Sequence, residues 1–248
     1  MSGATPSPGA CLVIGAGDGL GASIARAFAR EGLRVCVTRR PRHTDAIDDL
    51  AETIRAEGGE AYAFGLDARV EGDVSALIER IEREIGAIEV LVFNIGANVR
   101  FPVVETTTRV YSKVWEMAAL AGFLASREAA RGMIERGRGA ILFTGATASV
   151  RGGSGFSAFA GAKHALRALA QSLARELGPK GIHVAHVVID GAIDGAFIRS
   201  IMPDAAERRE REQILVPDEI AKNYVWLYRQ KRSAWTFEMD LRPWSETW

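Results

Sequence analysis

The stretch Cys11-Leu-Val-Ile-Gly15-Ala-Gly-Asp-Gly19-Leu-Gly21 joins a short apolar run to a segment of helical period. Glycines between a strand and a helix allow a tight turn with no Cβ between the backbone and a phosphate. The helix amino terminus then offers N–H groups to that anion. The stretch therefore predicts the phosphate-binding turn of a dinucleotide-binding fold, with a plain strand-to-helix turn as the alternative. The predicted cofactor contacts here are Gly15, Gly17, Gly19, Leu20 and Gly21.

Apolar runs and helical segments alternate along the rest of the chain. Strands are predicted at Cys11–Gly15, Arg34–Thr38, Ala61–Gly65, Glu89–Asn94, Ala140–Thr144, His183–Ile189 and Trp235–Asp240. Helices are predicted at Leu20–Glu31, Thr44–Glu57, Val70–Glu84, Thr107–Glu135, Ser157–Leu177 and Pro217–Tyr228. Nearly continuous apolar strands suit a sheet that helices cover on both faces. We predict an α/β fold: a single-domain, doubly wound (Rossmann) sheet of seven parallel strands.

The chain divides into a short tail and one domain. Residues 1–9 are predicted to form a flexible tail, and residues 10–248 a single domain. About residues 194–215 form a possible substrate lid, and a plain surface helix is the alternative. Within that segment, residues 208–211 (Arg-Arg-Glu-Arg) have the character of a solvated helix face.

The composition excludes several classes of protein. Lysine plus arginine and aspartate plus glutamate both total 31, so no net field attracts nucleic acid or an anionic membrane. No secretion signal and no apolar run of roughly 18 to 20 residues is present. Cys11 and Cys36 lie in strand-like runs, where buried free thiols are common. We expect a cytoplasmic protein without a disulfide, a metal site or a nucleic-acid partner.

The spacing Gly-x-x-x-Gly-x-Gly at residues 15–21 resembles that of the short-chain dehydrogenase/reductase family. The resemblance continues through Asp67, Asn94-Ile-Gly96-Ala97 and Lys163 to the last strand. It implies that Asp67, with Ala68 beside it, contacts adenine. It also implies that Asn94 and Gly96 steady the central sheet beside the cofactor. A turn residue at Asp67 and a strand-end cap at Asn94 are the alternatives.

The end of the second strand bears on the choice of dinucleotide. An acidic residue there would bind the ribose hydroxyls of NAD, but this chain has Thr38-Arg39-Arg40. Guanidinium groups can pair with the 2′-phosphate of NADP, which is favoured over NAD. Asp18 argues the other way, because its carboxylate would repel that phosphate. A solvated loop is the alternative for the two arginines.

The resemblance also shows which catalytic groups are missing. Relatives reduce a carbonyl with a tyrosine, a lysine four residues later, a serine about thirteen residues upstream and an asparagine in the middle helix. The matching segment here is Phe159-Ala-Gly-Ala-Lys163, which keeps the lysine and replaces the tyrosine. The serine position falls at Ala146, and the asparagine position at Ala118 or Ala119. Lys163 is expected to bind the nicotinamide ribose, while ordinary alcohol oxidation is expected to be badly impaired.

The segment Asp190-Gly191-Ala-Ile193-Asp194 stands where relatives carry Pro-Gly and a threonine near the nicotinamide amide. Gly191 and Ile193 are therefore predicted cofactor contacts. Asp190 is a speculative acid or base, and a turn or cap residue is the safer interpretation. Four other polar residues lie near the lost positions and are interpreted as loop, cap or outward-facing residues: Thr147, Ser149, Ser157 and His164.

Two functions remain open. The first is an NADP-dependent oxidoreductase that reduces an activated small-molecule C=O, C=C or C=N bond without the tyrosine, with water or Lys163 as proton source. The second is a catalytically silent NADP-binding sensor or assembly protein. Relatives pair through the middle helix and the helix that carries Lys163, so a homodimer or homotetramer is expected. Trp244 and Trp248 are expected to pack across an interface or to edge a neighbouring pocket.

Overall fold

The computed structural model describes residues 8–247, and within them seven parallel strands form one sheet. The strands are β1 (Ala10–Ile14), β2 (Arg34–Arg39), β3 (Ala61–Gly65), β4 (Ile88–Phe93), β5 (Gly139–Thr144), β6 (Ile182–Ile189) and β7 (Glu238–Leu241). Their order is β3-β2-β1-β4-β5-β6-β7, and each neighbouring pair is parallel. The order reverses between β1 and β4, which opens a crevice at the carboxyl ends of these two strands.

Helices cover both faces of the sheet. They are α1 (Leu20–Arg30), α2 (Asp45–Ala56), α3 (Glu71–Glu84), α4 (Thr108–Trp115), α5 (Ala121–Arg136), α6 (Ser157–Leu177), α7 (Ala196–Ile201), α8 (Ala205–Glu210) and α9 (Pro217–Arg229). One apolar core lies between the sheet and α3, α5 and α6, and the other between the sheet and α1, α2 and α9. β6 is buried at every position because both faces are covered. The predicted doubly wound fold of seven parallel strands is confirmed.

The last strand is shorter than predicted. It begins at Glu238, whereas the pattern predicted a strand over Trp235–Asp240. The indole of Trp235 stacks on the ring of His183 with centroids 4.9 Å apart, and its Nε1 donates to the carbonyl of Gln230. Trp235 therefore belongs to the turn after α9, where ring stacking fixes it before the ladder begins.

The middle helix is not continuous, although one helix was predicted over Thr107–Glu135. Thr107 accepts a hydrogen bond from the Val110 N–H and so caps α4. A π-helical turn over Glu116–Leu120 then separates α4 from α5. Such turns concentrate at functional sites. Ala118, one of the two positions predicted for the lost asparagine, is fully buried inside it.

The segment predicted as a possible lid is joined to the body of the protein at both of its ends. Ile193 and Leu215 form a parallel bridge, so the segment between them leaves and rejoins the body at one place and carries α7 and α8.

Gly9 belongs to the body rather than to a tail, because its carbonyl accepts from the Arg34 N–H. The rest of the predicted tail, residues 1–7, and Trp248 lie outside the described residues. No helix among the described residues is long and apolar enough to cross a membrane.

Candidate functional site

Two close approaches shape the turn after β1. Gly15 has φ +93°, and a Cβ there would lie 2.9 Å from the carbonyl oxygen of Asn94. A Cβ on Gly21 would lie 2.6 Å from the carbonyl oxygen of Gly15. Real Cβ atoms do not tolerate either distance. The glycines therefore let the first turn of α1 pack directly on the loop, which leaves its amino terminus facing the crevice.

Asn94 ties the end of β4 to this turn. Its Nδ2 donates a 3.0 Å hydrogen bond to the Gly15 carbonyl, and its backbone N–H donates to the Ile14 carbonyl at 2.8 Å. Asn94 therefore holds two neighbouring strand ends in register at the point where the sheet order reverses.

A groove runs across the carboxyl ends of β1, β2 and β4. It brings together nine of the predicted cofactor contacts, namely Gly15, Gly17, Thr38, Arg39, Arg40, Asp67, Ala68, Asn94 and Gly96. The other lining residues were not among the predicted contacts; they are Ile14, His43, Leu66, Arg69, Ile95, Ala97 and Met117. Ile14, Ile95 and Ala97 lie inside the motifs that the sequence showed. Leu66 and Arg69 directly adjoin the predicted contacts Asp67 and Ala68, so extending that pair by one residue on each side would have found them.

The groove is basic at the β2 end. A Cβ on Gly17 would lie 3.9 Å from Cζ of Arg39, so this guanidinium is beside the glycine turn. Partial burial and the nearby charges of Arg42 and Arg69 lower the pKa of Arg40. Within the described part of the chain neither Arg39 nor Arg40 forms a salt bridge. Among residues 8–247, Asp67 is the one carboxylate that acts on Arg40, and its own side chain is hydrogen-bonded to Arg69, so guanidinium groups at this place suit an added anionic group such as a phosphate.

Asp67 is already engaged in the groove. Arg69 Nε donates to its Oδ1 at 2.9 Å and Arg69 Nη2 to its Oδ2 at 2.6 Å. These hydrogen bonds lower the pKa of Asp67 below its usual range, despite the opposing effect of partial burial. Arg69 also lies 3.6 Å from Glu116. Because Arg69 already donates to both oxygens of Asp67, an adenine base could donate only to the lone pairs that remain free on these oxygens.

The other predicted cofactor contacts do not line this groove. Gly19 caps α1, and the side chain of Leu20 is buried in the core, so both could contribute only backbone N–H groups. Gly191 has φ +148°, and a Cβ there would lie 2.8 Å from Cδ of Pro243. Ile193 pairs with Leu215 at the base of the possible lid.

Lys163 projects from the first turns of α6 into the body of the protein and is 1% exposed. Its Nζ donates to the carbonyl of Ile95 at 2.9 Å and to that of Thr144 at 3.0 Å. An ammonium group has three donors, so these contacts leave one. Burial lowers the pKa of Lys163 to about 8, close to neutrality. Lys163 therefore combines fixed position with a proton that it can give up.

The surroundings of Lys163 are apolar on one side. Its Nζ lies 5.9 Å from the ring centroid of Phe159, which is 7% exposed. Phe156 lies next to Phe159, with ring centroids 6.4 Å apart, and Ala146 packs against the same small cluster. The predicted tyrosine and serine positions thus lie together, and they supply no hydroxyl.

The polar side chains near the missing tyrosine and serine already have partners within the protein. Ser149 is fully buried and its Oγ accepts from the Ala146 N–H at 3.0 Å. Thr147 donates to a carboxylate oxygen of Asp190. His164 turns away, with Nδ1 2.9 Å from the Ala160 carbonyl. These contacts agree with the interpretation of the three as loop and outward-facing residues.

Asp190 is 5% exposed and lies among cations. Oδ2 is 3.4 Å from Nη1 of Arg242, and Oδ1 accepts from Thr147 and lies 3.9 Å from Nη2 of Arg151. Its N–H donates to the Leu241 carbonyl at 2.8 Å. Both carboxylate oxygens thus have partners, which links the end of β6 to the residues after β7.

The described residues fit a dinucleotide better than a metal ion. A cradle that a Cβ would fill, a helix amino terminus and unpaired guanidinium groups are features that hold a phosphorylated cofactor. No cluster of three or more His, Cys, Asp or Glu side chains within residues 8–247 could hold a metal.

Comparisons with known proteins give the same result. A family model described as short chain dehydrogenase matches residues 10–204. Zerumbone synthase of Zingiber zerumbet is 33% identical over 178 residues, which are 70% of this chain. That match covers 64% of the plant protein, so the chain spans slightly less than two thirds of that relative's length.

Two solved structures are similar over almost the whole chain. A short-chain dehydrogenase from Rhodopseudomonas palustris is 48% identical, with a TM-score of 0.81, and the match covers 95% of this chain and 99% of that one. A candidate NAD(P) dependent gluconate 5-dehydrogenase from Beutenbergia cavernae is 25% identical, with a TM-score of 0.84 and coverage of 96% and 97%. The second structure holds NADP at low occupancy.

Proposed function

Because the chain belongs to the short-chain dehydrogenase family, a family of oxidoreductases, we propose that it reduces an activated small-molecule C=O, C=C or C=N bond with NADPH. The reaction proceeds without a tyrosine. The observation that carries the proposal is Lys163, a buried ammonium group with a pKa of about 8 and one uncommitted donor beside an apolar surface. Two backbone carbonyls fix its Nζ beside the ring of Phe159, so the remaining donor is placed to reach a substrate.

The cofactor would lie along the crevice between β1 and β4. The first turn of α1, at Gly19, Leu20 and Gly21, would receive the pyrophosphate. Arg39 and Arg40 would pair with the 2′-phosphate, which favours NADP and leaves NAD as a weaker alternative. The Beutenbergia cavernae relative, which binds NADP, supports this assignment. The remaining proposed contacts are Gly15, Gly17, Thr38, Asp67, Ala68, Asn94, Gly96, Lys163, Gly191 and Ile193.

The nicotinamide would supply a hydride, and the chain's own residues would supply position and the proton. The carbonyls of Ile95 and Thr144 accept from two of the three N–H groups of Lys163 Nζ, so the orientation of the third N–H group is fixed as well. The side chains of Phe159 and Ala146 pack in one apolar cluster beside this lysine and offer no hydrogen bond. A substrate whose acceptor atom needs only one donor, such as a polarised C=C or C=N group, suits this arrangement better than a plain ketone.

Asp190 is a weaker candidate than Lys163 for the group that donates the proton to the substrate. Its two oxygens contact Thr147, Arg151 and Arg242, so a substrate would have to displace one of them. Asp190→Asn is therefore expected to lower turnover less than Lys163→Met does. The opposite order would reassign the acid.

A second copy of the chain is part of the proposal. Three aromatic side chains are more than 40% exposed along α4 and α5, namely Tyr111, Trp115 and Phe123. Exposing such a set to water is costly. Relatives pair through these helices and α6, so a homodimer or homotetramer is proposed. Size-exclusion chromatography with light scattering tests it, and Trp115→Glu should yield monomer.

The predicted location belongs to the same proposal. Cys11 and Cys36 are free thiols inside the described body, and burial raises the pKa of both. Unpaired thiols suit a reducing compartment, which agrees with the cytoplasm. Fractionation of the native host with antibody detection would test this.

The test is a titration of the purified protein with NADPH and NADH, followed by NADPH consumption against ketones, enones and imines. Turnover is expected for at least one activated substrate, with Lys163→Met inactive and the exposed Lys222→Met unchanged. Phe159→Tyr is expected to gain activity on ketones. Tight binding without turnover on any substrate would replace the proposal with the alternative, a silent NADP-binding sensor or assembly protein.

A further inference from the structure

An arginine outside the groove lies at the end of the aromatic cluster beside Lys163. Arg100 is on the loop that follows β4, and its Cζ lies 5.7 Å from the ring centroid of Phe156. The ring centroid of Phe156 is 6.4 Å from that of Phe159, which in turn is 5.9 Å from Lys163 Nζ. Two neighbouring phenyl rings therefore connect the ammonium group of Lys163 with a guanidinium group.

The backbone around Arg100 fixes the position of its side chain. The Phe101 N–H donates to the Gly155 carbonyl at 2.8 Å, which joins the loop after β4 to the loop before α6. A Cβ on Gly155 would lie 3.1 Å from Cγ of Arg100 and 3.5 Å from its Nε. The stem of Arg100 therefore lies across Gly155, in a space that the absence of a Cβ leaves open.

The guanidinium group of Arg100 is not engaged by a carboxylate. Arg100 is exposed, and within residues 8–247 its side chain forms neither a salt bridge nor a hydrogen bond. Arg167 and Arg199, in contrast, each pair with an acidic side chain. A guanidinium group has five N–H donors, and the ring face of Phe156 uses none of them. Arg100 can therefore bind an anion from solution without breaking an ion pair.

Two further arginines lie near the site, but both already face a carboxylate. Nη2 of Arg151, on the loop after β5, is 3.9 Å from Oδ1 of Asp190, and Nη1 of Arg242 is 3.4 Å from Oδ2. The loops after β4, β5 and β6 all leave the carboxyl edge of the sheet, where ligands bind in folds of this kind. Of these three arginines, Arg100 is the one left for a ligand.

We propose that Arg100 binds a carboxylate group of the substrate, which is therefore an organic acid with an apolar body. The reducible bond lies at Lys163, the body packs along Phe159 and Phe156, and the carboxylate lies at the opposite end of the molecule. A guanidinium group matches a carboxylate with two parallel hydrogen bonds, and one guanidinium matches one negative charge. The assignment rests on the proposed function and narrows its substrate class.

The ion pair at Arg100 takes no part in the transfer of electrons. The substrate accepts a hydride from NADPH at one atom of the reducible bond and a proton from Lys163 Nζ at the other. The products are the reduced acid, NADP+ and a neutral lysine amine, which regains its proton from water. Because the carboxylate keeps its charge throughout, Arg100 contributes equally to the binding of substrate and transition state.

The test measures binding, by isothermal titration calorimetry, without cofactor and again with saturating NADP+. The probes are benzoate, 3-phenylpropanoate and 5-phenylpentanoate, each beside its uncharged primary amide. At least one acid should bind about tenfold more tightly than its amide, because charge-assisted hydrogen bonds are stronger than neutral ones. Arg100→Gln should abolish this preference, and Arg100→Lys should keep part of it. Arg30→Gln is the control, because the side chain of Arg30 is 71% exposed at the far end of α1.

Equal affinities for every acid and its amide, or an acid preference that survives in Arg100→Gln, would overturn the proposal. Where turnover is found, Arg100→Gln should raise the KM for an acid substrate about tenfold and leave kcat nearly unchanged. An acid preference that depends on Arg100, without turnover of any substrate, would support the carboxylate site and contradict the proposed reduction. Turnover of neutral enones without any acid preference would do the reverse.

Discussion

The side-chain amide of Asn94 donates to the backbone carbonyl of Gly15 across the point where the sheet order reverses, at 3.0 Å. One residue from β4 thereby fixes the glycine turn after β1, although 79 positions separate the two. Among the described residues, no side chain of the turn itself forms a hydrogen bond that would hold its shape, so the shape depends on this bond from Asn94.

Asn94→Ala should therefore weaken cofactor binding more than it weakens the fold. Loss of one hydrogen bond of this kind is typically worth about 1 kcal/mol, or roughly a fivefold to tenfold rise in the Kd for NADPH. Fluorescence titration measures the change. Asn98→Ala is the matched control, because Asn98 is exposed on the following loop and should bind NADPH normally. Equal affinities of the two variants for NADPH would show that Asn94 does not contribute to cofactor binding.

Lys163 should produce a specific pH dependence of stability. Its pKa is about 8 in the folded protein and about 10.4 in an unfolded chain, so between these values the unfolded state binds more protons. The free energy of unfolding due to this group is therefore lowest below pH 8, rises with pH, and is level above about pH 10.4. The rise amounts to roughly 3 kcal/mol.

Urea unfolding of the cofactor-free protein and of Lys163→Met at pH 7.5 and pH 10 isolates this effect. Other groups titrate equally in both proteins, so the stability of the wild type relative to the variant should increase by roughly 2 kcal/mol over this range. A constant difference between the two proteins at both pH values would mean that the pKa of Lys163 is not depressed.

Asp194 should hold the possible lid in place. Its side chain is 2% exposed and pairs with Arg199 of α7 and Arg209 of α8, each at 2.7 Å. These pairs lower the pKa of Asp194, so their stabilisation is present at neutral pH and is lost as the pH falls through about 4 and below. The run at residues 208–211 is therefore not wholly a solvated face, because Arg209 anchors it.

Asp194→Asn should speed hydrogen exchange and proteolysis between residues 195 and 215, with little change in the central strands. Asp204→Asn is the control, because Asp204 pairs with Arg208 on the surface, where such pairs contribute about 0 to 1 kcal/mol. If both variants protect the segment equally well, the buried pair does not secure the lid.

Thr144 and Tyr224 should be energetically coupled. Their hydroxyls share a 2.6 Å hydrogen bond in a fully buried environment that joins β5 to α9, and burial raises the pKa of Tyr224. Thr144→Val leaves the tyrosine hydroxyl without a partner and should cost about 1 to 3 kcal/mol of unfolding free energy. The double variant with Tyr224→Phe should cost less than the sum of the single changes. Additive losses in a double-mutant cycle would disprove the coupling.

The sequence determined the fold and the position of the glycine turn after β1, because both depend on local order along the chain. Alternating apolar and helical periods specify strands and crossover helices, and a glycine turn between the first strand and helix predicts a phosphate-binding end. The end of the second strand indicated Arg39 and Arg40, and the resemblance to the short-chain dehydrogenase/reductase family indicated Lys163 and the loss of the tyrosine hydroxyl at Phe159. The predicted start of the last strand at Trp235 was wrong, because a single contact, the stacking of Trp235 on His183, keeps this residue out of the strand.

Only the tertiary structure decided which groups meet across the chain. Arg69 engages Asp67, Asp194 receives two arginines from the lid, and Glu238 orients His186 beneath the helix of Lys163. Each pairing depends on strand register and helix packing, which place residues together regardless of their separation in sequence. The depressed pKa of Lys163 has the same origin, because desolvation is a property of the packed interior and not of any motif.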